Sequence, residues 1–297
     1  MKILLKAWYL LRDTVNSWID DKAPSMGAAL AFYTLFSVAP LLLIAISVAG
    51  LVFGEQAARG EILAQASGLL GATSAQALQS MLEEVNRPGA GIVGTVVGVV
   101  TLLIGATTVF GELQSALDRI WSVPEQPSRG GAWSLVRARL LSLGLILGIG
   151  FLLMVSLVAS AALAALSRWW APFFERMGFV PAILDLGVSV TLITVLFAMI
   201  YKLMPSASVA WRDVWIGSIL TAALFTIGKF LIALYIGRSG VASPFGAAGS
   251  VVVLLMWVYF SAQIFLLGAE FTWVYANRHG SRKALHPPDA PESEPRT

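Results

Sequence analysis

The chain has no cysteine, and its only two histidines, His279 and His286, fall close to its C-terminal end. Without cysteine there are no disulfides, thiolate nucleophiles or cysteine-based metal sites. Two histidines in that position leave no imidazole to act as a buried general base, metal ligand or triad member. Charge is scarce as well: 12% of residues are charged, against about a quarter in a soluble domain. A metal site would have to be built from carboxylates alone. The adjacent pairs Asp20-Asp21 and Glu83-Glu84 are expected on opposite sides of a membrane, as solvated faces. These absences predict no metal, no cofactor and no enzymatic activity. The basic balance, pI about 9.3, comes from dispersed residues and predicts membrane flanks rather than a nucleic-acid surface.

What the chain does have is apolar length. Residues are 57% hydrophobic, with a mean hydropathy of +0.78. Six long apolar segments cover roughly Ala28–Phe53, Gly91–Gly111, Leu140–Leu166, Ile183–Tyr201, Val214–Ile236 and Phe245–Tyr275. About 20 apolar residues cross a 30 Å hydrocarbon core as a helix, which satisfies its own backbone in lipid. The expectation is an all-α polytopic membrane protein, a bundle of six transmembrane helices. With the N-terminus inside, the inner loops collect most of the lysine and arginine, from Lys2, Lys6, Arg12 and Lys22 through Arg137 and Arg139 to Arg282 and Lys283. The outer side keeps Arg59, Arg87, Arg168, Arg176 and Arg238. The positive-inside rule then predicts both termini in the cytoplasm.

Outside the spans, Leu4, Ala7, Trp8, Leu11, Val15 and Trp18 recur at helical spacing opposite Lys2, Lys6, Asp13, Asn16 and Asp20. This predicts an amphipathic interfacial helix over residues 1–24. No cleavable signal peptide is expected, because the first apolar run is too long and lies behind this helix. Residues 54–90 read as an extracytoplasmic helical hairpin, with a capping box at Thr73-Ser74-Ala75-Gln76 and a stop at Asn86-Arg87-Pro88-Gly89. The transmembrane domain is placed at 25–277, and a proline-rich cytoplasmic tail expected to be disordered at 278–297.

The polar residues inside the spans carry the functional expectation. Pro40 interrupts the first span after Tyr33, Thr34 and Ser37, and a proline there frees a backbone carbonyl that hydroxyls or water must satisfy. Lys229 lies deep in the fifth span, and Ser250 and Gln263 lie along the sixth. Tyr33, Ser37, Pro40, Lys229, Ser250 and Gln263 are the candidate lining of a substrate path. Each has a plainer reading as a kink, a snorkelling lysine or a packing contact. Near the inner interface, Glu112, Asp118, Arg119, Lys202, Arg212 and Glu270 are expected to form an ion-pair network that ties helices together or gates the path. Small-xxx-small spacing at Gly94/Gly98, Gly144/Gly148 and Ala161/Ala165 indicates close helix packing, with room for a homo-oligomer face.

Five ordered stretches carry a family resemblance. AALAFYTLFSVAPLLL at Ala28–Leu43, ELQSALDRIW at Glu112–Trp121, YKLMP at Tyr201–Pro205, WRDVWIG at Trp211–Gly217 and FGAAGSVVVLLMWVYFSAQIFLLGAEF from Phe245 resemble the YihY/BrkB family. Phe245 stands where many members have tyrosine, and Asp118 where asparagine is common. The resemblance implies a six-helix bacterial inner-membrane protein. Members were once labelled ribonuclease BN, a tRNA-processing nuclease, or a serum-resistance virulence factor; the residue inventory argues against the nuclease. Some have been linked to movement of envelope lipid or lipopolysaccharide. The expected function is a transporter or flippase-like protein for a lipid or amphipathic anion, with membrane lipids as partners. The alternative is a scaffold that docks envelope proteins through the outer hairpin and basic loops.

Overall fold

The computed structural model describes residues 2–70, 72–85, 108–124, 180–240, 245 and 249–283. Every regular element among them is a helix. They are numbered α1 (Lys2–Asp20), α2 (Ala23–Phe53), α3 (Glu55–Leu70), α4 (Ala72–Val85), α5 (residues 108–120), α6 (Val180–Leu203), α7 (Trp211–Ser239) and α8 (Gly249–Arg278). Among the described residues, three stretches are long and apolar enough to cross a membrane: Leu186–Leu203, Trp211–Arg238 and Gly249–Arg278. Ala23–Val38 in α2 is a shorter apolar stretch. Of the six expected spans, Leu140–Leu166 and all but the end of Gly91–Gly111 lie outside the described residues, as does the small-xxx-small spacing read there.

Local chemistry sets the boundaries. α1 and α2 meet at an elbow where Lys22 adopts φ 57°, and Pro24 follows in the first turn of α2. A non-glycine residue in this left-handed region is uncommon, and it marks the turn where α1 gives way to α2. Gly54, at φ 83°, makes the next corner and gives its N–H to the Gly50 carbonyl. α5 ends in a Schellman-type turn, with the Val123 N–H on the Asp118 carbonyl at 2.9 Å, followed by Pro124. Pro205 follows the end of α6, where a helix cannot continue. α2 runs unbroken through Pro40. Ser37, fully buried, gives its hydroxyl to the Tyr33 carbonyl, not to the Phe36 carbonyl that a proline at position 40 frees.

The bundle is organised around α8, which packs against α7, α2, α1 and α4. The buried core gathers at one end of it. It takes Met26 and Leu30 from the start of α2, Leu117 and Ile120 from α5, Phe197 and Tyr201 from the end of α6, Val214 from the start of α7, and Phe265 and Leu266 from α8. Aromatic rings fill its centre: Tyr201 lies 5.1 Å from Phe265, and Phe197 lies 5.7 Å from Phe225. At the other end, α3 and α4 pack on each other, and α4 reaches α2 and α8 through buried Leu78 and Leu82.

α1 shows an inverted amphipathicity. Leu5, Trp8, Leu11, Val15 and Ile19 are exposed, while Thr14 is buried and Asp13 and Ser17 are partly covered. Trp18, expected on the membrane-facing stripe, packs against the core instead. An Arg278–Asp13 ion pair joins α1 to α8. A helix with its polar side on the protein and its apolar side outward suits the headgroup layer.

Candidate functional site

Two side chains on α8 that the sequence places seven residues apart share one stripe of that helix, about 10 Å from each other along its axis. Gln263 points its amide at Gly27 of α2. A Cβ on Gly27 would lie 3.1 Å from Gln263 Cδ and closer still to Nε2, so glycine is what admits the amide. Glu270, further along, is fully buried and faces the α1–α2 elbow. Among the described residues, neither polar atom of Gln263 meets a hydrogen-bond partner, and neither oxygen of Glu270 meets one apart from the carboxyl of Asp21. The charged groups acting on Glu270 are themselves carboxylates. Asp21 is close enough for one proton to be shared, and Asp20 adds its charge. A buried carboxyl facing two more, with no ion-paired lysine or arginine, is costly in any apolar setting. Ser261 Oγ and Trp257 Nε1, also on α8, are likewise buried without partners.

The opposite side of α8 is closely interlocked. Gly217 and Thr221 of α7 interlock with Gly268 and Thr272 of α8, each threonine lying over the other helix's glycine. Thr221 Oγ1 donates to the Gly217 carbonyl at 2.7 Å, and Thr272 Oγ1 to the Gly268 carbonyl at 2.7 Å. The Tyr201 hydroxyl from α6 donates to the Phe265 carbonyl at 2.7 Å and lies 3.1 Å from Thr221 Oγ1. Bare glycine lets the backbones approach this closely, and the threonines pair locally with their own helices.

Several polar residues act on the loop between α6 and α7 or on the turn after α8. Asp118 accepts from the Ser206 N–H at 2.6 Å and from its hydroxyl at 2.9 Å. Lys202 donates to the Val209 carbonyl, and its ammonium lies 5.7 Å from the centre of the Trp211 ring. Arg282 donates to the Ser208 carbonyl at 3.1 Å and stacks 4.9 Å over Trp121. Buried Asp213, in the first turn of α7, accepts from the Ser281 N–H at 3.0 Å and from its hydroxyl at 2.7 Å. Arg119 and Arg212 are exposed and Glu112 is half-buried. No ion pair links the six expected network residues to one another among the described residues; Asp118 and Lys202 instead bind Ser206 and the Val209 carbonyl of the α6–α7 loop. Of the expected path residues, Gln263 lies in the α2–α8 seam. Lys229 sits over the neighbouring Phe230 ring at 5.4 Å, and Tyr33 and Ser250 are half-buried elsewhere. Asp21, Asp213, Tyr201 and the glycine–threonine interlock were absent from the candidates.

The profile of the family described as virulence factor BrkB matches residues 14–293. The chain belongs to the BrkB family. Its similar BrkB relatives include a UPF0761 membrane protein of Pseudomonas aeruginosa, 29% identical over 261 residues, which are 87% of this chain and 60% of the relative. A UPF0761 membrane protein of Azotobacter vinelandii is 29% identical over 92% of this chain and 66% of its own length. One of Pseudoalteromonas translucida is 27% identical over 87% of this chain and 83% of its own length. The chain thus spans about three-fifths of the length of the Pseudomonas relative. No solved structure matches it. With its apolar helices, this BrkB-family chain is an integral membrane protein.

In this BrkB-family protein the Asp118–Ser206 contact gives a direct test of how α5 holds the α6–α7 loop. Asp118→Ala leaves the Ser206 N–H without its acceptor, a loss of about 1–3 kcal/mol for a charge-assisted bond. Hydrogen exchange at residues 206–209 is expected to speed up at least tenfold in Asp118→Ala. Asp118→Asn, which retains an acceptor oxygen, should stay near the parent rate.

Proposed function

We propose that the protein is a transporter of the bacterial inner membrane that moves a lipid or an amphipathic anion in envelope biogenesis. The α2–α8 seam is its path and Glu270 its inner gate, with both termini cytoplasmic. The observation that carries this reading is the fully buried Glu270, inside a span-length helix, facing the carboxyls of Asp21 and Asp20. An ionisable residue inside a membrane helix is retained against a cost and marks substrate paths and proton relays. A proton or a positive group of a substrate arriving between these carboxyls removes their repulsion and lets the α1–α2 elbow close on α8. When that charge departs, the elbow is pushed away. Gln263, two turns along the same stripe, offers both a donor and an acceptor to a polar headgroup passing along the seam.

The test is lipid movement in vesicles holding the purified protein and a trace of lipid with a fluorescent headgroup, quenched from outside. The parent protein is expected to let the quencher reach the inner-leaflet label within minutes. Glu270→Gln, inserted to the same density, is expected to slow that phase at least tenfold. Equal curves for parent, variant and empty vesicles would overturn transport and leave docking of envelope proteins as the protein's role.

A further inference from the structure

A cleft of about 730 Å³ opens between α1 and the end of α8. Its volume lies within the range of small-ligand sites, and its walls differ in sign. α1 contributes Asn16, Ser17 and Asp20; α8 and the turn after it contribute Asn277, His279 and Lys283. Trp273 and Val274 supply an apolar side. The Asp13–Arg278 ion pair spans the two walls, so these two charges are already matched. Asp20 and Lys283 are different. Both are exposed, and neither forms an ion pair with any described residue. His279 is exposed, its ring stacked on Tyr275.

We infer that this cleft binds a zwitterionic headgroup, a phosphodiester carrying a primary ammonium, from the membrane leaflet in which α1 lies. The ammonium pairs with Asp20 and donates to Ser17 and Asn16; the phosphate accepts from Lys283, Asn277 and His279. Three features select this chemistry. First, a ligand with one charge of each sign matches the unpaired anion on one wall and the unpaired cation on the other. Second, Asp20 also acts on buried Glu270, so the bound ammonium supplies a counter-charge that this acidic end lacks. Third, the exposed apolar stripe of α1, with Trp8, Leu11 and Ile19, sets the cleft at headgroup depth, where acyl chains can leave along α1 into the leaflet. The site does not depend on transport: a lipid held here ties α1 to α8 whether or not it crosses the membrane.

The experiment is native mass spectrometry of the full chain in detergent, with melting temperatures measured in parallel. The probes are phosphatidylethanolamine, phosphatidylglycerol, phosphatidylcholine and water-soluble phosphoethanolamine. Phosphatidylethanolamine is expected to form a retained one-to-one adduct and to raise the melting temperature. Phosphatidylglycerol lacks the ammonium, and phosphatidylcholine lacks its N–H donors, so both should bind at least tenfold more weakly. Asp20→Asn and Lys283→Ala, both surface changes, should each weaken the phosphatidylethanolamine adduct about tenfold, and Lys283→Arg should restore it. Equal binding of all three lipids, or an adduct indifferent to both substitutions, would overturn the site. Soluble phosphoethanolamine binding as tightly as the lipid would overturn its assignment to a membrane lipid. Loss of the adduct with vesicle transport intact would separate this site from the transport path.

Discussion

Gly268→Val is expected to be among the most damaging single substitutions in this protein. A Cβ at position 268 would lie 2.7 Å from the Tyr201 hydroxyl oxygen, 2.9 Å from Thr221 Cβ and closer still to Thr221 Oγ1. Neither neighbour can retreat without losing a bond: Tyr201 is held to the Phe265 carbonyl and Thr221 to the Gly217 carbonyl. Overpacking of a filled interior costs about 1–3 kcal/mol, and more when backbones must separate. The top of that range applies here, because the obstruction sits where α6, α7 and α8 meet. The melting temperature in detergent should fall by several degrees and the yield of monodisperse protein should drop sharply. The same substitution at Gly187 or Gly237, where an added Cβ meets nothing within 4 Å, should be nearly neutral. Thr221→Ala combined with Gly268→Ala should recover part of what Gly268→Ala alone loses, since the pair shares one contact. A melting curve for Gly268→Val that overlays the parent would mean α7 and α8 do not meet as described.

Glu270→Leu is expected to move stability and activity in opposite directions. Leucine is close to glutamate in size, so the buried space stays filled while an unsatisfied polar group is removed. Leaving such a group buried costs about 1–3 kcal/mol, and two neighbouring carboxylates add to that here. The variant should melt several degrees higher than the parent while lipid movement falls to that of empty vesicles. A residue kept only for packing would give the reverse, a lower melting temperature with transport unaffected. This opposition separates a functional carboxyl from a structural one more cleanly than loss of activity alone.

Much of the architecture could be read from hydropathy, because a spanning helix is a property of one contiguous segment. α6, α7 and α8 lie where the apolar runs place them, and α1, α3 and α4 where helical spacing and turn residues place them. What escaped the sequence depends on which faces meet. Glu270 stood out as a carboxylate after a long uncharged run, but its neighbour Asp21 is some 250 residues away and nothing local points to it. The glycine–threonine interlock has the same i, i+4 spacing as a small-xxx-small motif, yet threonine is easily passed over as an ordinary span residue. Charges at the inner end invited a reading in terms of opposite partners. A helical projection shows side chains and hides loop carbonyls, which are what Lys202 and Arg282 bind. Gln263 and Glu270 were each visible alone; their common stripe became meaningful only once α2 lay along it.

The two sides of α8 differ in how their polar atoms are satisfied, and this divides the molecule mechanically. On the α7 side, each threonine sits over the other helix's glycine and Tyr201 reaches both helices, so sliding them would drive interlocked side chains together and break the tyrosine's contacts. On the α2 side, Gln263 holds no bond among the described residues and Glu270 faces only other carboxyls, so their neighbours withdraw at little cost. On the proposed transport path, α6, α7 and α8 are expected to move as a unit while α1 and α2 swing about the left-handed elbow at Lys22. Cross-linking α7 to α8 should leave such a cycle running; bridging α2 to α8 should arrest it.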